Sequence, residues 1–151
     1  MFDSEWKHSG TTAKLKRIYV IKNRKDPKFQ LGFHGTRRAC TIGSDSTDPC
    51  DNPECCLCSI LKDGFSLERA QADRYVKNYE NNSDERVLIL CGVEFLRTQE
   101  LKMAGDPGAN VDTVIGVTKA NGGELFYHET AVRSVEQIKP LGLVVYSRCP
   151  P

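Results

Sequence analysis

Arg86-Val87-Leu88-Ile89-Leu90-Cys91-Gly92-Val93-Glu94-Phe95 is the stretch from which the fold is best read. Its uncharged run from Val87 to Val93 is rich in β-branched and aliphatic residues, the composition of a strand. The run is the longest of its kind in the chain, yet far short of the roughly 18 apolar residues of a membrane span. Working outward, Leu15 to Ile21 and Phe29 to His34 read as two further strands, separated by the turn Asn23-Arg24-Lys25-Asp26-Pro27. On the C-terminal side Val111 to Val117, Leu125 to Thr130 and Ile138 to Tyr146 are strand candidates, punctuated by Asp106-Pro107-Gly108 and Asn121-Gly122-Gly123. Cys56 to Phe65 reads as a short helix stopped by Gly64. Ala72, Tyr75, Val76 and Tyr79 recur at helical spacing, which predicts a second helix over Arg69 to Tyr79. Strands outnumber helices, so the expected class is α+β, a single domain over 1–151 built mainly on antiparallel sheet. Few short helices, a cysteine-rich loop insertion at 40–58 and loose ends at about 1–12 and 147–151 complete this expectation.

Composition agrees with one folded unit. The 151 residues are 39% hydrophobic and 27% charged, as in a soluble globular chain. Met1-Phe2-Asp3-Ser4-Glu5-Trp6-Lys7 carries acids and no apolar core, so it does not read as a secretory signal, and an intracellular location without membrane contact is expected. The net charge of +1 hides an asymmetry. From Lys7 to Arg38, Lys7, Lys14, Lys16, Arg17, Lys22, Arg24, Lys25, Lys28, Arg37 and Arg38 stand against Asp26 alone. That polarity suits an anionic ligand, whether dinucleotide, nucleic acid or acidic protein, or else a solvated strand pair.

Five of the seven cysteines lie between Cys40 and Cys58, in the pattern C-x9-C-x4-C-x2-C. A Cys-x2-Cys pair brings two thiolates to one ion from a single turn, and two more complete the closed tetrahedron of a structural zinc site. Cys40, Cys50, Cys55 and Cys58 are the expected ligands, with Cys56 the spare. Spacing alone also permits a set using Cys56, a disulfide pair in an oxidising compartment, or reduced thiols that merely pack. Cys91, inside the apolar run, reads as an inert core residue.

The segment Phe33-His34-Gly35-Thr36-Arg37-Arg38-Ala39-Cys40 is followed by the cysteine loop and Leu57-Cys58-Ser59-Ile60-Leu61. Further on come Asn121-Gly122-Gly123-Glu124-Leu125-Phe126-Tyr127-His128-Glu129, then Ala131-Val132-Arg133, Ile138-Lys139-Pro140 and Leu143-Val144-Val145-Tyr146. This ordered set resembles the poly(ADP-ribose) polymerase-type catalytic domain, in the fungal cysteine-rich subfamily of ADP-ribosyltransferases, over roughly Trp6 to Tyr146. The resemblance implies an ADP-ribosyltransferase-like fold and NAD as substrate, with cleavage of the nicotinamide-ribose bond. It implies that Glu129 is the catalytic carboxylate and that His34 binds the adenosine ribose beside it. Gly35 would clamp the nicotinamide carboxamide through its backbone, with Thr36 and Arg37 adjoining and Arg37 facing the pyrophosphate. Tyr75, in Ala70-Gln71-Ala72-Asp73-Arg74-Tyr75, takes the place of the family's stacking tyrosine.

Bond cleavage of this type builds positive charge on the ribose, which a nearby carboxylate stabilises more in the transition state than in the ground state. The chain departs from the family at one place: Ser66-Leu67-Glu68-Arg69 stands where a Gly-Ile-Tyr strand supplies the middle tyrosine of a His-Tyr-Glu triad. The functional expectations are therefore an ADP-ribosyltransferase or NAD glycohydrolase, a non-catalytic zinc-stabilised module binding NAD or ADP-ribose or another protein, and a zinc-containing nucleic-acid binder. The ADP-ribose acceptor, whether protein, nucleic acid or water, is not written in these motifs.

Overall fold

Glu85–Glu94 forms strand β5 of a four-stranded antiparallel sheet in the order β1-β9-β5-β2, with β1 at Thr12–Val20, β2 at Phe29–Gly35 and β9 at Ile138–Cys149. The chain is seen in a computed structural model that describes residues 12–21, 28–65, 77–78, 81–126 and 128–149. The uncharged run of β5 is explained by this central position, because both faces of the strand are covered. Val87, Ile89, Cys91 and Val93 join Leu143 and Val145 of β9 in the principal core, while Leu88 packs with Val144 and Tyr146 on the opposite face.

A bulge in β1 between Leu15 and Arg17 changes which side chains face the core. Before it, Ala13 and Leu15 lie against the Leu88–Val144–Tyr146 cluster. After it, Tyr19 packs on the principal core and Arg17 Nε donates to the Gly43 carbonyl at 3.1 Å. Arg17 also pairs with Glu85 at the start of β5.

The principal core is closed by the cysteine-rich loop and by helix α1, Cys56–Asp63, whose Leu57, Cys58 and Ile60 are buried. The helix stops at Gly64, as expected: φ is +86° there, a conformation that glycine adopts without steric cost. Strand β3, Arg37–Arg38, continues the chain from β2 and pairs in parallel with β4, Lys77–Asn78.

A separate three-stranded sheet follows, in the order β6-β7-β8, from Thr98–Leu101, Thr113–Gly116 and Glu129–Val132. Buried Gln137 ties the two sheets, its amide donating to the Glu94 carbonyl at 3.2 Å and to Thr113 Oγ1 at 3.1 Å. Gly123 sits so close to the backbone just past β7 that a Cβ there would lie 2.0 Å from the Val117 carbonyl oxygen.

The fold is thus α+β and mostly antiparallel, with one helix among the described residues. Several elements differ from the sequence reading. Strand β8 starts at Glu129 rather than Leu125. The turn at Lys119–Asn121 and Gly122 takes Leu125 back to Thr118 as an isolated bridge, leaving Phe126 and His128 outside the sheet. Lys77 and Asn78 are extended, so the helix expected over Arg69 to Tyr79 does not reach them, and the stretch carrying Tyr75 lies outside the described residues. Ser147–Cys149 continue β9 instead of forming a loose tail. No helix among the described residues is long and apolar enough to cross a membrane.

Candidate metal centre and ligand floor

The chain leaves β3 at Arg38 and reaches Cys40, loops out through Cys50, and returns through Cys55 into the first turn of α1, where Cys58 sits. Cys55 and Cys58 are fully buried, and Cys40 and Cys50 half-buried. The four Sγ atoms lie within 4.8 Å of one another. Cys40 Sγ is 3.7 Å from that of Cys55 and 3.5 Å from that of Cys58. Four thiolates at a zinc–sulfur distance of about 2.3 Å form a tetrahedron with edges of about 3.8 Å. The cage therefore has the dimensions of a four-thiolate site before any ion is added, and it could hold a metal such as zinc. Cys40, Cys50, Cys55, Cys56, Cys58 and Cys91 are free thiols in the structure.

Electrostatics favours one thiolate in this cage. The Cys58 thiol hydrogen-bonds to Cys55 and, with the Ala39 N–H donating at 3.4 Å, holds Cys55 down to about 4 against the effect of burial. The same partnership pushes Cys58 upward, and burial pushes Cys40 upward. A divalent cation would replace the protons that Cys40 and Cys58 retain. Cys56, the spare, is half-buried outside the cage and meets the Arg37 guanidinium at 3.6 Å. Cys91 is a core thiol, pushed up to about 12 by burial.

A buried arginine that the sequence reading passed over as one more basic residue braces the loop. Arg38 is 1% exposed. Its Nη1 donates to the Ile42 carbonyl at 2.7 Å and to Ser44 Oγ at 3.2 Å; its Nη2 donates to the Glu85 carbonyl at 2.6 Å and to Asn78 Oδ1 at 3.0 Å. Asn81 in turn donates to the Arg38 carbonyl at 2.7 Å. Arg38 is thus engaged inside the fold, while Arg17 pairs with Glu85 and exposed Lys28 with Glu94 at the surface, so part of the basic N-terminal third serves structure. Lys14, Lys16 and Arg37 are exposed.

His34, Gly35 and Thr36 are buried together at the end of β2. His34 Nε2 has no hydrogen-bond partner among the described residues, and the Phe65 ring stands edge-on to the imidazole with centroids 5.1 Å apart and planes at 88°. Burial lowers the proton affinity of this histidine, so the neutral imidazole is favoured. Glu129 is exposed at the start of β8, opposite Gly116, on a different sheet from His34. His128 beside it is exposed as well. The structure thus assembles the four cysteines into one cluster and His34, Gly35 and Thr36 into one buried floor, with Arg37 at its exposed edge. Phe65, the neighbour of His34, was not singled out by the sequence, although its place directly after the helix-stopping Gly64 is the signal that could have found it. No protein-family model matches the chain, and the curated proteins yield no match.

Proposed function

We propose that this chain is an ADP-ribosyltransferase-type domain that binds NAD and cleaves its nicotinamide-ribose bond, with a structural zinc ion held by Cys40, Cys50, Cys55 and Cys58. The observation that carries the NAD reading is the unpartnered Nε2 of His34. A buried polar atom left without a hydrogen bond costs on the order of 1–3 kcal/mol, and a ligand hydroxyl at this position would remove that cost. Gly35 and Thr36 extend the same floor, and the glycine leaves room for a carboxamide to approach the backbone. Arg37 adds positive charge for the pyrophosphate, Tyr75 supplies the stacking ring, and Glu129 supplies the carboxylate that stabilises the developing oxocarbenium ion. Zinc contributes no step: with four protein ligands its coordination is closed.

The second reading is a non-catalytic NAD- or ADP-ribose-binding module stabilised by the same metal. Two observations favour it: the absence of a Gly-Ile-Tyr segment, and the position of Glu129 on another sheet from His34. Incubating the metal-loaded protein with NAD labelled in the nicotinamide separates the two. Release that falls to background in Glu129→Ala supports the enzyme. Calorimetric NAD binding with equal background release from both proteins supports the module, and no binding at all overturns both.

A further inference from the structure

His34 is bracketed from two directions by the polypeptide that carries the cysteine cage. Along the backbone, Gly35 ends β2, β3 follows, and the chain enters Cys40. From the other side, Cys55 and Cys58 anchor the N-terminal turn of α1, and the C-terminal end of that helix delivers Phe65 onto the imidazole. The helix between them cannot absorb a shift. It is only eight residues long, its Leu57 and Ile60 are fully buried in the principal core, and Gly64 N–H closes on the Ile60 carbonyl at 2.9 Å to fix the exit. Phe65 itself is 8% exposed and belongs to that core. The Ala39 N–H on Cys55 Sγ links the two approaches a second time.

The geometry assigns Phe65 a positioning role: we infer that occupancy of the four-cysteine centre is transmitted through α1 and the Phe65 ring to the orientation of His34, so that the ligand floor takes its binding arrangement when metal is held. As a claim about ligand binding it rests on the proposed NAD reading; as a claim about His34 it does not. A ring packed edge-on against the imidazole limits its rotation about χ2, and a histidine whose Nε2 must face a ligand loses affinity in proportion to the time it spends turned away.

The test uses the zinc-loaded full chain with Phe65→Leu, which keeps an apolar side chain without the ring, and Phe65→Tyr, which keeps the ring. Zinc content, the His34 imidazole signals in NMR and the NAD dissociation constant are measured on each. Phe65→Leu should retain one zinc per chain, show displaced and broadened His34 signals, and bind NAD about tenfold more weakly if the competent orientation falls to a tenth of the population. Phe65→Tyr should stay near the original protein in all three. A Phe65→Leu protein with one zinc and unmoved His34 signals overturns the inference. If the original protein does not bind NAD, the NAD reading fails on its own and the His34 signals still decide the positioning role. Should Phe65→Leu fail to fold, diamagnetic cadmium titrated into the metal-free original chain decides. The His34 signals must reach their final positions in step with the cadmium–thiolate absorbance, and signals already there before cadmium is added overturn the inference.

Discussion

Loading the four-cysteine cage with zinc, and stripping it again, is the perturbation with the largest calculable effect. The cage lies in the principal core, two of its sulfurs fully buried, and it joins the start of the cysteine loop to α1. Its sulfur separations of 3.5 and 3.7 Å are close to the about 3.8 Å edge of a zinc tetrathiolate, so little of the binding free energy is spent on reshaping the site. A ligand that binds only the folded state adds RT ln(1 + [L]/Kd), or about 4.1 kcal/mol when free zinc stands at 1,000 times Kd. For a domain of this size each kcal/mol moves the melting temperature by roughly 2–4 °C. The chelated protein should therefore melt roughly 8–16 °C below the zinc-loaded one. Differential scanning calorimetry paired with metal analysis reads both quantities. Cys58→Ser should behave like the chelated protein, and Cys56→Ser should hold one equivalent of zinc and melt normally. Loaded and stripped proteins that melt within about 2 °C of each other would refute the reasoning, because the shift would then be below the smallest value the linkage predicts.

Lowering the pH should weaken the fold through His34. Its folded proton affinity is depressed by burial below the ordinary 6.5, so its contribution is fully present above that value and is lost as pH falls toward the folded value. Urea midpoints at pH 7.5, 6.5 and 5.5 should fall less steeply for His34→Leu than for the original, and parallel slopes would contradict this origin. Arg38→Met should cost about 3 kcal/mol or more, because the Ile42 and Glu85 carbonyls lose a charged donor in a buried setting; a urea midpoint close to the original would show that water replaces it. In Gly142→Ala the new Cβ would meet the Tyr19 carbonyl oxygen at 2.1 Å, forcing β1 and β9 apart. A loss of about 1–3 kcal/mol is expected from thermal unfolding, and an unchanged midpoint would mean that the strands give without cost.

What could be read in advance divides along physical lines. β5 and β9 were visible because burial on both faces demands unbroken apolar sequence, and Gly64 was visible because the chain needs positive φ at the end of α1. The cage was visible as spacing, with Cys55 expected and Cys56 the spare, although spacing alone also permitted a set using Cys56. Structure resolves the choice, since Cys55 faces the core from the position before the helix while Cys56 opens α1 toward the surface. β6 escaped notice because Thr98-Gln99-Glu100-Leu101 is polar and half-exposed, held by its pairing with β7. The start of β8 was misplaced because Leu125, although apolar, closes the glycine turn. Arg38 and Phe65 were hidden for a common reason: a residue's importance there depends on partners distant in sequence, Glu85 for one and His34 for the other.

The strand order carries a consequence for the history of the molecule during synthesis. β9, the last of the described strands to leave the ribosome, lies between β1 and β5 and hydrogen-bonds to both. Until it emerges, β1 has no neighbour in the sheet and β5 has only β2. The four cage cysteines, by contrast, all lie between Cys40 and Cys58, and local contacts form early while distant pairings form late. All four cage cysteines are synthesised before β5 and β9, so an ion captured by them would tether the half-built core through the interval in which bare strand edges are most exposed to aggregation.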